Sequence, residues 1–304
     1  MHTPNISAFW HKASYDRFMQ ERLPQLLADR LPLSGYQCLS TAAYTCQVTV
    51  TITADGQELE VTYVNLPQPD EQGVYLIDGG QHTIVPLALG NDLSTSELLC
   101  DGELMMNFIT ERLGQFPIDL AWTAELLRTW LPLDRWLREF MQSHPAAQWL
   151  DATNWLARQT HLRRLMGINH QRFDLVGQLG RVCPFEMPEG PNLGRIPTIA
   201  VGAAIHEGKL VIVDERPEAA LGLSASMIPC LEHDDPNRLL MGANMLRQWL
   251  PYAEPEPAWV QSGNEPALPD FWCGRNLLTA FIPWGGDTVE DGIVLSESGI
   301  KRLS

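Results

Sequence analysis

Charged side chains that could bind phosphate or a partner group are concentrated in three stretches of this sequence. The first, residues 180–197, holds four prolines and three glycines together with two arginines, two glutamates and an asparagine. Proline fixes φ and removes a backbone donor, whereas glycine reaches conformations that other residues do not. A long helix or a central strand is therefore excluded. A rigid polar loop of this kind is typical of a functional site, and a structural connector is the alternative interpretation.

The other two stretches carry acidic pairs and a further arginine. Residues 232–248 begin with Glu-His-Asp-Asp and contain Arg238 and Gln248. Adjacent side chains cannot all point at one ion, so a solvated turn or a helix N-terminus is favoured over a metal cluster. Residues 280–297 contain the pair Glu290-Asp291 beside an apolar segment. Considered alone, this pair indicates a solvated strand end.

Composition and missing motifs exclude several classes of protein. The sequence has no nucleophile elbow, phosphate loop or dinucleotide-binding fingerprint. Its net charge of −16 argues against a free-standing nucleic-acid binder. The six cysteines include no Cys-x-x-Cys pair, so zinc spacing is absent and reduced, cytoplasmic cysteines are expected. No signal peptide and no apolar run long enough to cross a membrane is apparent, so no membrane partner is expected.

The three stretches resemble, in the same order, motifs of the beta subunit of bacterial multisubunit DNA-directed RNA polymerase. Residues 181–194, Arg-Val-Cys-Pro-Phe-Glu-Met-Pro-Glu-Gly-Pro-Asn-Leu-Gly, closely resemble the fork region of that family. Residues 232–248 are similar to a motif whose arginine, here Arg238, faces the triphosphate of the incoming nucleotide. Residues 280–297 resemble a segment whose acidic pair, here Glu290 and Asp291, lies near the second magnesium ion.

Two further segments extend the resemblance over about residues 35–303, with large deletions. Tyr-Leu-Ile-Asp-Gly-Gly-Gln-His-Thr-Ile-Val at 75–85 looks like the protrusion, and Thr-His-Leu-Arg-Arg-Leu at 160–165 looks like the start of the rifamycin-pocket segment. The resemblance implies nucleotide binding by Arg238, Glu290 and Asp291. It also implies nucleic-acid contacts by a second set of residues, which are Arg164, Arg172, Asn192 and Gln248.

An arginine for the triphosphate and carboxylates near metal suit phosphoryl transfer, which needs charge clamps and two metal ions. The resemblance implies that Mg²⁺ is held only in a complete polymerase assembly, since the aspartate triad for the first ion belongs to another subunit. The implied partners are a beta-prime-like catalytic subunit and the remainder of beta, with DNA and RNA bound only within the assembly.

The function implied is a beta-like component that contributes fork and nucleotide-channel elements to transcription. The isolated chain is expected to be inactive, because the sequence ends at Ser304, before the lysine-bearing catalytic segment of the family. A non-catalytic truncated paralogue that docks on polymerase as a regulatory or interaction protein is the alternative. A piece of a split gene, or an experimental fragment, is a further possibility.

The helices and strands predicted from the sequence indicate an α+β fold in three parts. Residues 1–93 form a protrusion-like α+β region, and 94–166 a helical region that corresponds to a reduced lobe. Residues 167–304 form a fork and external-like region that runs into the start of the hybrid-binding segment.

Periodicity and turn residues place the elements within these parts. The pattern predicts helices at 12–31, with a possible kink at Pro24, at 94–113 after a capping box at Ser94–Glu97, at 121–142 divided at Pro132, at 148–166 and at 237–249. It predicts hairpins at 44–65, 74–87 and 199–213, an exposed linker at 251–270, and apolar strands at 276–282 and 292–296.

The last two apolar segments have little following sequence to cover them. A partner chain could pair with Ala280 to Trp284 and Ile293 to Leu295. Burial against the N-terminal helices of the same chain is the competing expectation.

Overall fold

Helices and short sheets are mixed through most of the residues that the structure describes, so the α+β prediction is confirmed. The structure is a computed structural model that describes residues 7–54, 56–114, 122–167, 171–250, 252–268, 271–286 and 292–303. The helices are α1 (Trp10–Arg17), α2 (Leu23–Arg30), α3 (Asp101–Arg112), α4 (Ala124–Trp130), α5 (Leu133–Ser143), α6 (Trp155–Leu162), α7 (Leu175–Gln178), α8 (Leu223–Ser226), α9 (Pro236–Leu246) and α10 (Glu297–Leu303). The strands are β1 (Leu33–Ala42), β2 (Thr45–Ala54), β3 (Gln57–Pro67), β4 (Tyr75–Ile77), β5 (Gly80–Ile84), β6 (Leu87–Ala88), β7 (Leu98–Leu99), β8 (Ala147–Trp149), β9 (Met166–Gly167), β10 (Ala203–His206) and β11 (Lys209–Ile212).

The largest sheet is the antiparallel sheet β1-β2-β3. Along β2 every second side chain is buried, including Val48, Val50 and Ile52, because successive side chains of a strand point to opposite faces. Helices α1 to α5 contribute to the core that covers this face. The Tyr63 hydroxyl crosses this core and donates a 2.6 Å hydrogen bond to the Leu131 carbonyl.

Several predicted elements are confirmed. The hairpins appear as β2-β3, β4-β5 and β10-β11. The division at Pro132 separates α4 from α5. The first predicted helix is present as α1, a π-helical stretch at Phe18–Arg22, and α2, with Pro24 in the first turn of α2. Proline cannot donate to a carbonyl of the preceding turn, and the irregular π-helical turn lies just before Pro24.

The predicted helix starts at residues 94 and 148 are wrong. Asp92 accepts a hydrogen bond from the Ser94 backbone N–H at 2.9 Å, which holds this segment in a turn. The capping box forms instead at Cys100 and Glu103, where α3 begins. Residues 147–149 are the strand β8, paired with β5. Helix α6 begins only after Asn154, whose side chain accepts a 2.8 Å hydrogen bond from the Ala157 N–H.

The prediction of an exposed linker at 251–270 is wrong in part. Asn264 is buried and donates hydrogen bonds to the Glu218 carbonyl and to the Ser226 hydroxyl. The segment is therefore attached to the region around α8. Phe271, which follows it, is also buried and packs with Leu156, Val201 and Leu223.

The predicted apolar strands near the end of the sequence are also wrong. Residues 276–282 and 292–296 adopt neither helix nor strand. Leu278 and Phe281 are fully exposed, at 106% and 99%. The expected alternative, burial against the N-terminal helices, is therefore wrong for these side chains. Within the residues that the structure describes, no helix is long and apolar enough to span a bilayer.

Candidate nucleic-acid interface

The backbone segments before and after the Pro-Gly-rich loop are hydrogen-bonded to neighbouring backbone. Val182 and Ile199 form an antiparallel bridge, and Arg164 and Thr198 form a second one. The Cys183 N–H donates a 2.9 Å hydrogen bond to the Thr198 carbonyl. Residues 183–197 therefore form a loop that connects two adjacent backbone segments. Its prolines and glycines predict such an irregular segment.

Arg163 lies under this closure and is 1% exposed. Its guanidinium donates hydrogen bonds to the carbonyls of Ile199, Ala200 and Ala203, and lies 5.3 Å from the ring centroid of Trp10. Burial lowers the pKa of Arg163 to about 10, against the opposing effect of Glu186, so the side chain stays charged at neutral pH. Arg163 thus stabilises the base of the loop and is shielded from solvent.

Glu186 anchors the loop from within. Its buried carboxylate accepts a 2.9 Å hydrogen bond from the Ala225 N–H in α8. A Cβ on Gly222 would lie 2.3 Å from the Glu186 Cδ, so this approach requires glycine. Burial raises the pKa of Glu186, although the positive charge of Arg247 acts in the opposite direction.

Helix α9 joins the second sequence motif to the loop. The Asn244 side-chain amide donates hydrogen bonds to Glu189 Oε1 at 3.0 Å and to the Met187 carbonyl at 3.3 Å. Arg247, which follows α9, donates to the Ala243 carbonyl and to Asn244 Oδ1. Two motifs that are distant in sequence therefore form one surface.

Three of the predicted nucleic-acid contacts lie at this loop. Arg164 is partly buried at its base, and its pKa is lowered by burial and then by the like charge of Arg247. Arg172 is exposed, and its Cγ would lie 3.9 Å from a Cβ built on Gly194. Asn192 is exposed in the 3₁₀ turn Gly190–Asn192. All three side chains lie at or beside the loop, and their contact with nucleic acid stays a prediction.

The remaining predicted site residues are more widely spread. Arg238 lies in the first turn of α9 and Gln248 just beyond its end, and both are exposed. Ten residues of helix correspond to about 15 Å, so these two side chains occupy opposite ends of the element. Glu290 and Asp291 lie outside the described residues.

The acidic stretch at the start of the second motif is a solvated helix entry, as predicted. Residues 232–235 are exposed, and Asp235 occupies the N-cap position of α9. Across the described ranges, no group of three or more histidine, cysteine, aspartate or glutamate side chains could hold a metal ion.

His161, within the predicted rifamycin-pocket-like segment, is a structural residue. Its Nδ1 accepts a hydrogen bond from the Asp151 N–H at 3.0 Å, and its Nε2 lies 3.1 Å from Gln148 Oε1. Burial lowers the pKa of His161 to about 3. The ring is therefore neutral near pH 7, and Nε2–H donates to Gln148.

The sequence places Arg195 among the charged residues of the loop without assigning it a contact, and it gives no role to Arg247. Both lie inside the quoted motifs, but neither has a special spacing, and only the contact of α9 with the loop distinguishes Arg247. Five arginines of this region form no ion pair with a carboxylate of the described chain: Arg164, Arg172, Arg195, Arg238 and Arg247. Some arginines elsewhere are paired, as in Arg22–Glu103 and Arg216–Asp214, whereas Arg17, Arg30 and Arg135 also form no ion pair with a carboxylate of the described chain. Guanidinium groups without a carboxylate partner can bind phosphate.

Comparison with known families bears on this same region. Residues 148–205 match the family model described as RNA polymerase Rpb2, domain 3. This part of the chain is RNA polymerase beta-subunit-like. The Rpb2-like region contains α6, Arg164, Arg172 and the whole loop with Asn192. Arg238, Gln248, Glu290 and Asp291 lie C-terminal to it.

Proposed function

We propose that the chain is a beta-like component of a DNA-directed RNA polymerase that supplies a fork loop and part of the nucleotide channel. The observation that carries this proposal is the contact of Asn244 with Glu189 and Met187. This contact joins the Rpb2-like region to the motif that contains Arg238 and Gln248. We also propose that the chain consists of three regions, with boundaries at residues 93/94 and 166/167.

Charge supports a phosphate-binding role for this surface. A chain of net charge −16 has many carboxylates available, yet the five arginines named above have none as a partner in the described structure. Phosphoryl transfer depends on positioning and on charge neutralisation at phosphate oxygens. We assign Arg164, Arg172, Asn192 and Gln248 to the nucleic acid, together with Arg195 and Arg247.

Arg238 is assigned to the triphosphate of the incoming nucleotide. Its exposed guanidinium lies 3.7 Å from the sulfur of Met241, which is a weak hydrogen-bond acceptor. Replacing this contact with one to a phosphate oxygen therefore costs little free energy. Carboxylates are suitable Mg²⁺ ligands, and we assign Glu290 and Asp291 to the neighbourhood of magnesium in the complete assembly. Magnesium would supply charge neutralisation at the phosphates.

A partner is proposed from the exposed apolar segment at 276–286. Leu278 and Phe281 present their whole side chains to solvent. Exposed apolar surface of this kind marks an interaction site, and we assign it to another polypeptide of the polymerase, with the beta-prime-like catalytic subunit as the proposed occupant.

The proposal is tested by reconstituting the polymerase of the source cell with this chain. Arg238→Ala should raise the KM for nucleotides about tenfold, as loss of about 1.4 kcal/mol of binding requires. Arg138→Ala is the matched control, because Arg138 is an exposed arginine on α5, 4.0 Å from Asp78, and should leave KM unchanged.

The regulatory alternative predicts a different result from the same experiment. A polymerase that lacks the chain would then incorporate nucleotides with an unchanged KM, and Arg238→Ala would have no effect. Such a result would contradict the proposed place in the nucleotide channel.

A further inference from the structure

A small cavity of about 200 Å³ lies between the β4-β5 hairpin, strand β8 and the end of helix α5. Its polar and aromatic lining consists of Asp78, His82, Gln142 and Trp149. None of these residues belongs to the arginine surface of the loop and α9. Pockets for drug-sized ligands measure about 300–1,000 Å³, so this cavity accommodates one side chain rather than a whole cofactor.

His82 offers a lone pair to the cavity. The residue is 6% exposed, and its Nδ1 lies 3.2 Å from the Gly80 carbonyl. Because a carbonyl only accepts, Nδ1 carries the proton, and Nε2 of the neutral ring is an acceptor. Among the described residues Nε2 has no hydrogen-bond partner, yet solvent reaches it. A donor that enters the cavity can therefore bond to this atom.

Trp149 forms a wall that is held in place although it is 71% exposed. It pairs with His82 across β5 and β8, and the two ring centroids lie 4.4 Å apart. Its ring also covers Gly80, where a Cβ would lie 2.1 Å from Trp149 Cζ3. The indole face, which attracts cations, is therefore positioned before any ligand binds.

Asp78 supplies a negative charge at the same cavity. It lies in the β4-β5 turn with φ +49°, and its Oδ2 accepts a 3.1 Å hydrogen bond from Gln142 Nε2. The Arg138 guanidinium lies 4.0 Å from Asp78 Oδ1, and both side chains are more than half exposed. Such a pair contributes little free energy, so another cation can replace Arg138.

We propose that this cavity binds the ammonium group of a lysine side chain from a partner polypeptide. The lone pair of His82, the carboxylate of Asp78 and the indole face of Trp149 are all complementary to a cation that carries N–H donors. One carboxylate oxygen already bonds Gln142, so the point charge of an ammonium group fits better than the bidentate fork of arginine. The small volume admits this side chain and leaves the rest of the ligand beside the exposed Trp149 ring, as a polypeptide requires.

The test is an NMR titration of the isotope-labelled full chain with the peptide Gly-Ser-Lys-Ser-Gly and with the same peptide carrying norleucine in place of lysine. The lysine peptide should shift the indole N–H signal of Trp149, which is identified by its absence from Trp149→Leu, with a Kd of about 1 mM. The norleucine peptide should not. Spermidine is the third ligand, and tighter binding of this free polyamine than of the lysine peptide would overturn the assignment to a polypeptide.

Two charge variants should act in opposite directions on the affinity for the lysine peptide. Asp78→Asn keeps a residue that tolerates positive φ and should weaken binding about threefold, whereas Arg138→Gln removes the competing cation and should strengthen it about twofold. Trp259→Leu is the control, because Trp259 is 87% exposed and does not line the cavity, and it should leave the affinity unchanged. No saturable shift up to about 10 mM peptide, equal binding of the norleucine peptide, or the same change in both charge variants would each overturn the proposal.

Discussion

The side-chain amide of Asn244 donates a 3.0 Å hydrogen bond to the carboxylate of Glu189. It also reaches the Met187 carbonyl at 3.3 Å. These two bonds connect the last turn of α9 with a loop more than fifty residues earlier in the chain. The Asn244 side chain is therefore a direct link between α9 and the loop.

We predict that Asn244→Ala loosens the loop without unfolding the protein. The change removes the two hydrogen bonds to the loop and the one that Asn244 Oδ1 accepts from Arg247, all at a partly exposed site, so the free energy of unfolding should fall by about 1 kcal/mol or somewhat more. Amide hydrogen exchange at residues 186–194 should become faster. Asn107→Ala, at an exposed position of α3, is the control. Unchanged exchange in the loop would contradict the coupling.

Gly222→Ala should displace the anchor of the loop. Its Cβ would lie 2.3–2.4 Å from the Glu186 carboxyl group, and overpacking of this kind costs about 1–3 kcal/mol. Thermal unfolding should show a lowered Tm. The control is Gly274→Ala, because a Cβ at Gly274 meets nothing within 4 Å. Equal Tm values for the two variants would show that the Glu186 contact does not contribute to stability.

The sequence predicts these features unevenly, and the reason is the distance over which the determining contacts act. The β2-β3 hairpin is predictable because its alternation is local to the strands. The burial of Glu186 is not, since its partner Ala225 lies 39 residues away. Arg163 and Arg164 are adjacent and identical in type, yet the first is buried among carbonyls and the second is partly exposed at the loop base.

The N-termini of helices are also difficult to predict from local sequence alone. Ser94–Glu97 has the letters of a capping box, but Asp92 already bonds the Ser94 N–H and turns the chain. The capping box that forms has Cys100 at the N-cap position and Glu103 at N3. Cysteine is an unusual N-cap residue, so the sequence pattern does not reveal this helix start. The apolar letters of 276–282 resemble a strand, but a strand also needs a neighbouring strand to pair with, and none of the described segments pairs with these residues.

His11 should make stability depend on pH. Burial by itself lowers the pKa of His11, but the charge of Asp101 and the hydrogen bonds of both ring nitrogens outweigh it and raise the pKa overall. His11 Nδ1 lies 2.7 Å from Asp101 Oδ1, and Nε2 lies 3.0 Å from the Leu162 carbonyl. Because both neighbours are acceptors, both nitrogens carry protons.

A raised pKa in the folded state means that protonation stabilises the fold. This contribution is fully present below the unfolded-state pKa of about 6.5 and is lost as pH rises through the folded-state pKa. Urea titrations at several pH values should show this loss in the wild type and not in His11→Gln. That variant should also be less stable below pH 6.5, by about 3–5 kcal/mol. His206→Gln, at an exposed position, should keep the wild-type dependence, and a pH-independent wild type would contradict the account.

Nucleic-acid binding should depend on the assembly. The isolated chain repels a polyanion through its net charge of −16, so its Kd for duplex DNA should exceed about 1 µM at physiological salt. Within a reconstituted polymerase, Arg172→Ala and Arg195→Ala should each reduce the salt slope of binding by about 1. Arg138→Ala should not. Tight, steeply salt-dependent binding by the pure chain would refute the first expectation.

Affinity purification of the tagged chain from its source cell at native abundance, with bound proteins identified by mass spectrometry, tests the central claim most directly. The account predicts recovery of the catalytic subunit of RNA polymerase, with cross-links to residues 276–286. It also predicts that Leu278→Ser with Phe281→Ser abolishes recovery while leaving the Tm unchanged, because both side chains are fully exposed. A chain that elutes alone as a stable monomer, with no polymerase subunit bound, would contradict the claim that it functions as a polymerase component.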